Sequence, residues 1–274
     1  MPFDPLSLAL FGLVLLIAGV SAGVLAGLLG VGGGIVIVPV LFHLLGLIGV
    51  EEHVKMHLAV GTSLASIIPT SISSIRSHIR RDSVDRDLLR SWAPWVALGV
   101  LVGTVLAGAM RGAVLTAVFA VVALAVAVHM TVTTQETRLS DTPPRGVFKG
   151  LTAATIGAFS AMMGIGGGTL TVPTLVLCNY PIRRAVGTSA ALGLIIAVPG
   201  SIGFIIAGLD APGRPPLSLG YVSLLGLLLI APVSMLTAPL GARLAHSLDP
   251  RNLRRAFAFF LGLTSLRMFY GLLT

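Results

Sequence analysis

Charge is what this sequence has least of. Only 10% of its 274 residues are Asp, Glu, Lys or Arg, while 55% are apolar, and the mean hydropathy is +0.99. A soluble domain carries roughly 25% charged residues, so this chain has too few to coat a water-facing surface. Cysteine is nearly missing as well. Cys178 stands alone, which excludes an intrachain disulfide framework and a cysteine zinc set. No Asp or Glu lies well inside an apolar segment, so no carboxylate proton relay of the usual intramembrane kind is visible. The first apolar run is preceded by Asp4, with no Lys or Arg, and no A-x-A cleavage site closes it. It is therefore expected to be a retained helix and not a removed signal.

What remains is a series of long apolar runs, at 6–28, 35–49, 57–79, 91–110 and 112–132, then at 147–163, 169–179, 184–208, 217–242 and 252–272. Between the two sets, residues 133–146 hold Asp141, Pro143 and Pro144 and read as a linker. The sets also match in sequence. Leu29-Gly30-Val31-Gly32-Gly33-Gly34 returns as Met163-Gly164-Ile165-Gly166-Gly167-Gly168, and Val38-Pro39 returns at the same distance as Val172-Pro173. Ala59-Val60-Gly61-Thr62-Ser63 returns as Ala185-Val186-Gly187-Thr188-Ser189, and Gly103, Leu115, Phe119 and Met130 align with Gly241, Leu253, Phe257 and Met268. Matched blocks in the same order are an internal duplication. The expected organisation is an N-terminal repeat over 1–132, a linker over 133–146 and a C-terminal repeat over 147–274.

Basic residues set the expected orientation. The formal charge is +8, but it sits in short loops between apolar runs, which is the positive-inside pattern and not a nucleic-acid surface. If each half crosses five times from an outside N-terminus, thirteen basic residues fall in the cytoplasm, among them Arg80, Arg81, Arg86, Arg90, Arg183, Arg184 and Arg243. Only Lys55, Arg111 and Arg214 then fall outside. The alternative, in which the short runs 35–49 and 169–179 do not cross, strands basic clusters on the wrong side. Five plus five crossings make the halves inverted, with both termini outside. The fold class expected is an all-α integral membrane protein of about ten transmembrane segments, two of them short or broken.

The glycine motifs are the main candidates for chemistry. A helix beginning at Gly32-Gly33-Gly34 or Gly166-Gly167-Gly168 aims unpaired N–H groups and the positive end of its dipole at one spot, a setting for an anion. The same glycines also permit a tight hairpin and close helix contact, as Gly19, Gly23 and Gly27 do. Thr62, Ser63, Thr188 and Ser189 offer hydroxyls to a solute oxyanion or to their own helix carbonyls. Pro39 and Pro173 are expected to kink the short helices, through packing or along a solute path. Arg76 and Arg267, near helix ends, are expected to snorkel. Glu52, His53 and His57 supply too few ligands for a metal site, and no metal or cofactor is assigned. Ile35 occupies the third glycine position of a dinucleotide fingerprint, and no Lys-Ser or Lys-Thr makes a P-loop.

The doubled Gly-(Val/Ile)-Gly-Gly-Gly…Val-Pro blocks, each followed by Ala-Val-Gly-Thr-Ser, resemble the TauE/SafE family of sulfite and organosulfur-anion exporters across residues 6–272. The resemblance implies a secondary transporter that exports sulfite, sulfoacetate or a related sulfonate through a bacterial inner membrane by alternating access. It places the family's glycine motif on Gly30, Gly32, Gly33 and Gly34 and on Gly164, Gly166, Gly167 and Gly168. Its Gly-Thr-Ser segment falls on Gly61, Thr62 and Ser63 and on Gly187, Thr188 and Ser189. The partners expected are a small anionic solute and the lipid bilayer, with no nucleic acid. A channel or carrier for another small anion is the alternative within transport. An intramembrane enzyme is the alternative outside it, and no Ser/His/Asp or paired-Asp arrangement supports one.

Overall fold

The computed structural model of the chain describes residues 5–30, 32–132, 140, 142–244 and 250–273. Most of the expected linker, 133–139 and 141, lies outside them. Among the described residues the chain forms ten helices: α1 (Pro5–Leu29), α2 (Gly34–Leu47), α3 (Glu52–Ile79), α4 (Arg86–Ala109), α5 (Gly112–Val132), α6 (Gly146–Met163), α7 (Gly168–Leu177), α8 (Ile182–Gly208), α9 (Leu224–Leu244) and α10 (Pro250–Leu273). Seven of them, all but α2, α7 and α10, are long and apolar enough to cross a membrane. Helices α2 and α7 have 14 and 10 residues, roughly 21 and 15 Å at the usual rise.

Two boundaries differ from the hydropathy reading. The run at 57–79 is the body of a longer helix that begins at Glu52. Its polar first turn hid it, because Lys55 is buried there. The Lys55 ammonium pairs with Glu52 and lies 4.2 Å over the Phe42 ring, which lets a charged residue fold against an apolar wall. The run at 217–242 is not one helix either. It opens with a small antiparallel hairpin, β1 (Ser218–Leu219) and β2 (Val222–Ser223), before α9 starts at Leu224.

Packing crosses between the halves. Helix α1 lies along α9, and α6 lies along α4. The close approach is written in glycine: a Cβ on Gly23 would stand 2.7 Å from the Ser234 Cα, and one on Gly103 would stand 2.7 Å from the Ala158 Cα. Helices α3 and α8 pack together, as do α5 and α10, while α3 also meets α9 and α4 meets α8. If α1–α5 are matched in order with α6–α10, each of these contacts maps onto itself or onto another one of the set. The buried core holds Trp92, Phe119, Phe204, Leu15, Ile35 and Ile37. Outward-facing Leu101, Val105, Ile206, Leu228 and Leu236 are exposed, as residues that meet lipid must be.

Candidate functional site

The site is built from the two glycine motifs, which meet inside the bundle. A Cβ on Gly32 would lie 3.0 Å from the Gly166 Cα, and a Cβ on Gly34 would lie 2.9 Å from the Ile165 Cα and from the Ser63 hydroxyl. All of Gly32–Val38 and Met163–Thr169 is buried. Helices α2 and α7 both start at this contact. The first N–H groups of each have no acceptor within their own helix, so two helix beginnings open into the middle of the protein.

The two motifs do not have the same backbone. Gly30, Gly32 and Gly33 have φ of +68°, +74° and +77°, whereas in the second motif only Gly164 is left-handed, at +65°. Gly167 sits at φ −56°, ψ −28°, an ordinary helical conformation. Gly33 leans on α1, where a Cβ would lie 2.5 Å from the Ala22 carbonyl oxygen. Gly167 leans instead on α8, near Ser189 and Gly193.

The Gly-Thr-Ser segments tie each half to the other. The Thr62 hydroxyl accepts the Ser223 N–H at 2.8 Å, just before α9, and the Thr188 hydroxyl accepts the Asp85 N–H at 2.9 Å, just before α4. Gly61 and Gly187 leave the room this needs, since a Cβ on either would overlap a carbonyl oxygen, of Tyr221 or of Ser83. The third residues diverge. Ser63 donates to the Gly164 carbonyl at 2.6 Å, while the buried Ser189 hydroxyl has no hydrogen-bond partner.

Ser189 has company. The hydroxyls of Ser71, Ser160, Thr169 and Thr171 are also buried without a partner. Ser160 precedes the second glycine motif by one helical turn, and Thr169 and Thr171 open α7. The Ser71 hydroxyl and the Gly167 N lie 3.2 and 3.6 Å from the point where a Cβ on Gly193 would stand. Unsatisfied buried hydroxyls cost about 1–3 kcal/mol each, so several near one helix start describe a polar spot, not a packing accident. The repeat could not disclose it. In the first half the positions of Thr169 and Thr171 are filled by Ile35 and Ile37.

The remaining expected residues take structural positions. Pro39 and Pro173 lie within α2 and α7, and the His43 ring approaches the Pro39 carbonyl at 2.7 Å. The His57 ring nitrogens face the carbonyls of His53 and Ala107 at 3.2 and 3.0 Å, and the ring stacks on Tyr221. That occupies the histidine most able to join Glu52 and His53 on a metal. Among the described residues no group of three or more His, Cys, Asp or Glu is placed to hold a metal ion.

Asp85 caps α4 by accepting the N–H groups of Asp87 and Leu88 at 3.0 and 2.9 Å, and Tyr180 donates its hydroxyl to the same carboxylate. The Tyr180 bond, the helix N–H groups and the Arg184 charge hold the Asp85 carboxyl below its ordinary range, against the opposing effect of burial. A depressed carboxylate contributes stability that is present above the unfolded pKa, about 3.9, and is lost as pH falls through the folded value. Asp85→Asn, which keeps a capping oxygen but not the charge, is expected to lose at neutral pH the stability that the charged carboxylate contributes there, and so to flatten this acid limb. Unfolding curves of both proteins from pH 6 downward check it, and an unchanged acid limb would remove Asp85 as its source.

The comparisons with known proteins point to a membrane transporter. The family model described as sulfite exporter TauE/SafE matches residues 15–268. A "Probable membrane transporter protein" of Haemophilus influenzae is 36% identical over 262 residues, which cover 94% of this chain and 98% of that protein. A protein of Methanocaldococcus jannaschii with the same description is 27% identical over 93% of this chain and 94% of its own length. YunE of Bacillus subtilis, likewise described, is 24% identical over 94% and 97%. No solved structure matches the chain. A match from residue 15 to residue 268 takes in both glycine motifs, both Gly-Thr-Ser segments, the greater part of α1 and the other six apolar helices, and the chain belongs to the TauE/SafE family of multi-pass membrane transporters.

Proposed function

We propose that the protein is a secondary transporter that exports a small sulfur oxyanion, sulfite or an organosulfonate, across a bacterial inner membrane by alternating access. The observation that carries the reading is that Ser71, Ser189 and Thr169, whose buried hydroxyls have no partner, belong to the segments that meet at the start of α7. Hydroxyl donors, free helix N–H groups and a positive dipole end suit an oxyanion. The absence of carboxylates from the apolar segments supports the same sign of solute.

In this reading the solute lies against Gly32, Gly33, Gly34, Gly166, Gly167 and Gly168, with Ser189 as the free donor. Thr62, Ser63 and Thr188, already engaged with backbone groups, hold the frame around it. Pro39 and Pro173 bend the short helices that carry the two motifs. The halves 1–132 and 147–274 act as inverted five-helix repeats with both termini outside. The pairing of α1 with α9 and of α4 with α6, together with the charge bias of the loops, supports that arrangement. The reading assigns no catalysis, metal or cofactor.

Counterflow in proteoliposomes tests it. With sulfite loaded inside, uptake of radiolabelled sulfite should be accelerated and should saturate, and taurine, sulfoacetate and chloride are to be compared in parallel. Flux that rises linearly with concentration would replace the carrier by a channel. Folded protein that moves none of these sulfur anions would end the substrate assignment.

A further inference from the structure

Where α3 and α9 end, side by side, a pocket of about 300 Å³ opens that is lined by Ser73, Arg76, Ser77, Arg80, Arg81 and Arg243. The positive-inside rule accounts for arginines somewhere on this side. It does not account for four of them around one hydroxyl-lined hollow. Among the described residues none of the four is ion-paired. Arg81 donates to the Ala242 carbonyl and so fastens the end of α3 to α9. Four guanidinium charges about one cavity repel each other, and a small oxyanion relieves that while matching the guanidinium fork.

The pocket is also the end of a polar track. Thr62, Ser66, Thr70, Ser73 and Ser77 are spaced four, four, three and four residues apart, which puts them on one narrow face of α3. Thr62, Ser66 and Thr70 are fully buried, and Thr70 meets Ser234 of α9 hydroxyl to hydroxyl at 2.6 Å. The track therefore follows the α3–α9 seam for roughly 22 Å, at 1.5 Å per residue, from the level of the glycine motifs to the arginines. At the corresponding positions α8 has Thr188, Leu192, Ile196, Pro199 and Gly203, so the track exists in one half only.

We infer that this pocket is a binding site for a small oxyanion, a vestibule that gathers the solute at the basic face and hands it to the α3 hydroxyls. The inference extends the proposed transport reading and rests on it for the identity of the solute. A lipid phosphate has the same chemistry. The continuity with the buried hydroxyl track favours the soluble anion, because a headgroup tethered to its acyl chains has no use for such a track.

The test is arginine modification of the full-length wild-type chain by phenylglyoxal, in phosphatidylcholine nanodiscs, read arginine by arginine by peptide mass spectrometry. Sulfate and methanesulfonate serve as probes, with chloride at matched ionic strength as the control. The expected result is several-fold slower modification of Arg76, Arg80 and Arg243 with sulfate or methanesulfonate, and no change at Arg145 or Arg183. Equal rates with and without the probes would overturn the inference. So would protection that appears only when phosphatidylglycerol is added, since the pocket would then hold a headgroup. Protection without sulfite counterflow would retain the vestibule and sink the transport reading, while counterflow without protection would do the reverse.

Discussion

Gly33→Ala is expected to destabilise the protein by about 2–4 kcal/mol, whereas Gly167→Ala costs less than about 1 kcal/mol, although the repeat makes the two glycines equivalent. Gly33 is held at φ +77°, where an L side chain costs about 1–2 kcal/mol before any contact is counted. Its Cβ would then meet the Ala22 carbonyl oxygen at 2.5 Å. That oxygen belongs to the backbone of α1, which glycine-mediated packing holds against α9, so it has little freedom to retreat. Gly167 has helical angles that any residue adopts, and its Cβ would stand 3.1 Å from the Ser189 carbonyl and 3.2 Å from the Gly193 nitrogen. A shift of a few tenths of an ångström relieves both contacts, and alanine reduces the freedom of the unfolded chain. Denaturant unfolding of the two variants in detergent decides the matter. Equal losses would mean that the motifs share one backbone geometry. A stable Gly167→Ala protein that no longer shows counterflow would place the solute beside α7.

The second large effect belongs to Thr62. Thr62→Val keeps the shape of the side chain and deletes the acceptor of the Ser223 N–H, so a loss of about 1–3 kcal/mol is expected. Thr62→Ser restores the oxygen and should recover most of that loss. Thr188→Val should behave in the same way through the Asp85 N–H. If the threonines served only the solute, the valine variants would bind it poorly while unfolding like the wild type. Comparison of thermal unfolding with sulfite-induced stabilisation across the four proteins separates the two roles. A valine variant as stable as wild type would remove the inter-half bond from the account.

The sequence made the helices legible because most apolar runs are long and nearly all charged residues fall between runs or at their ends. It hid the start of α3, since Glu52, His53 and Lys55 look like loop residues until Lys55 is seen folded over Phe42. It hid the hairpin before α9 as well, because Leu217, Leu219 and Val222 continue the apolar run. The glycine motifs stood out through duplication, and duplication was also what misled. It presents Gly33 and Gly167 as equals, yet their φ angles differ in sign and they lean on different helices, α1 and α8. Ser71 and Thr169 carried no signal at all, having no counterpart in the other half. Arg76, expected to snorkel, faces a pocket whose other wall lies on α9, more than 160 residues further along the chain. No local pattern announces such a meeting.

The pairing of α1 with α9 has a bearing on how the protein is made. Helix α1 finds its main neighbour only after Leu224–Leu244 has been synthesised, which at about 5–20 residues per second means a wait of roughly ten seconds or more. Through that interval Gly19, Gly23 and Gly27 present a groove in the membrane with nothing seated in it, open to lipid or to a neighbouring nascent helix. Helices α1 and α4 thus leave their main packing faces to partners in the other half, and α1 gains its own only once α9 lies beside it.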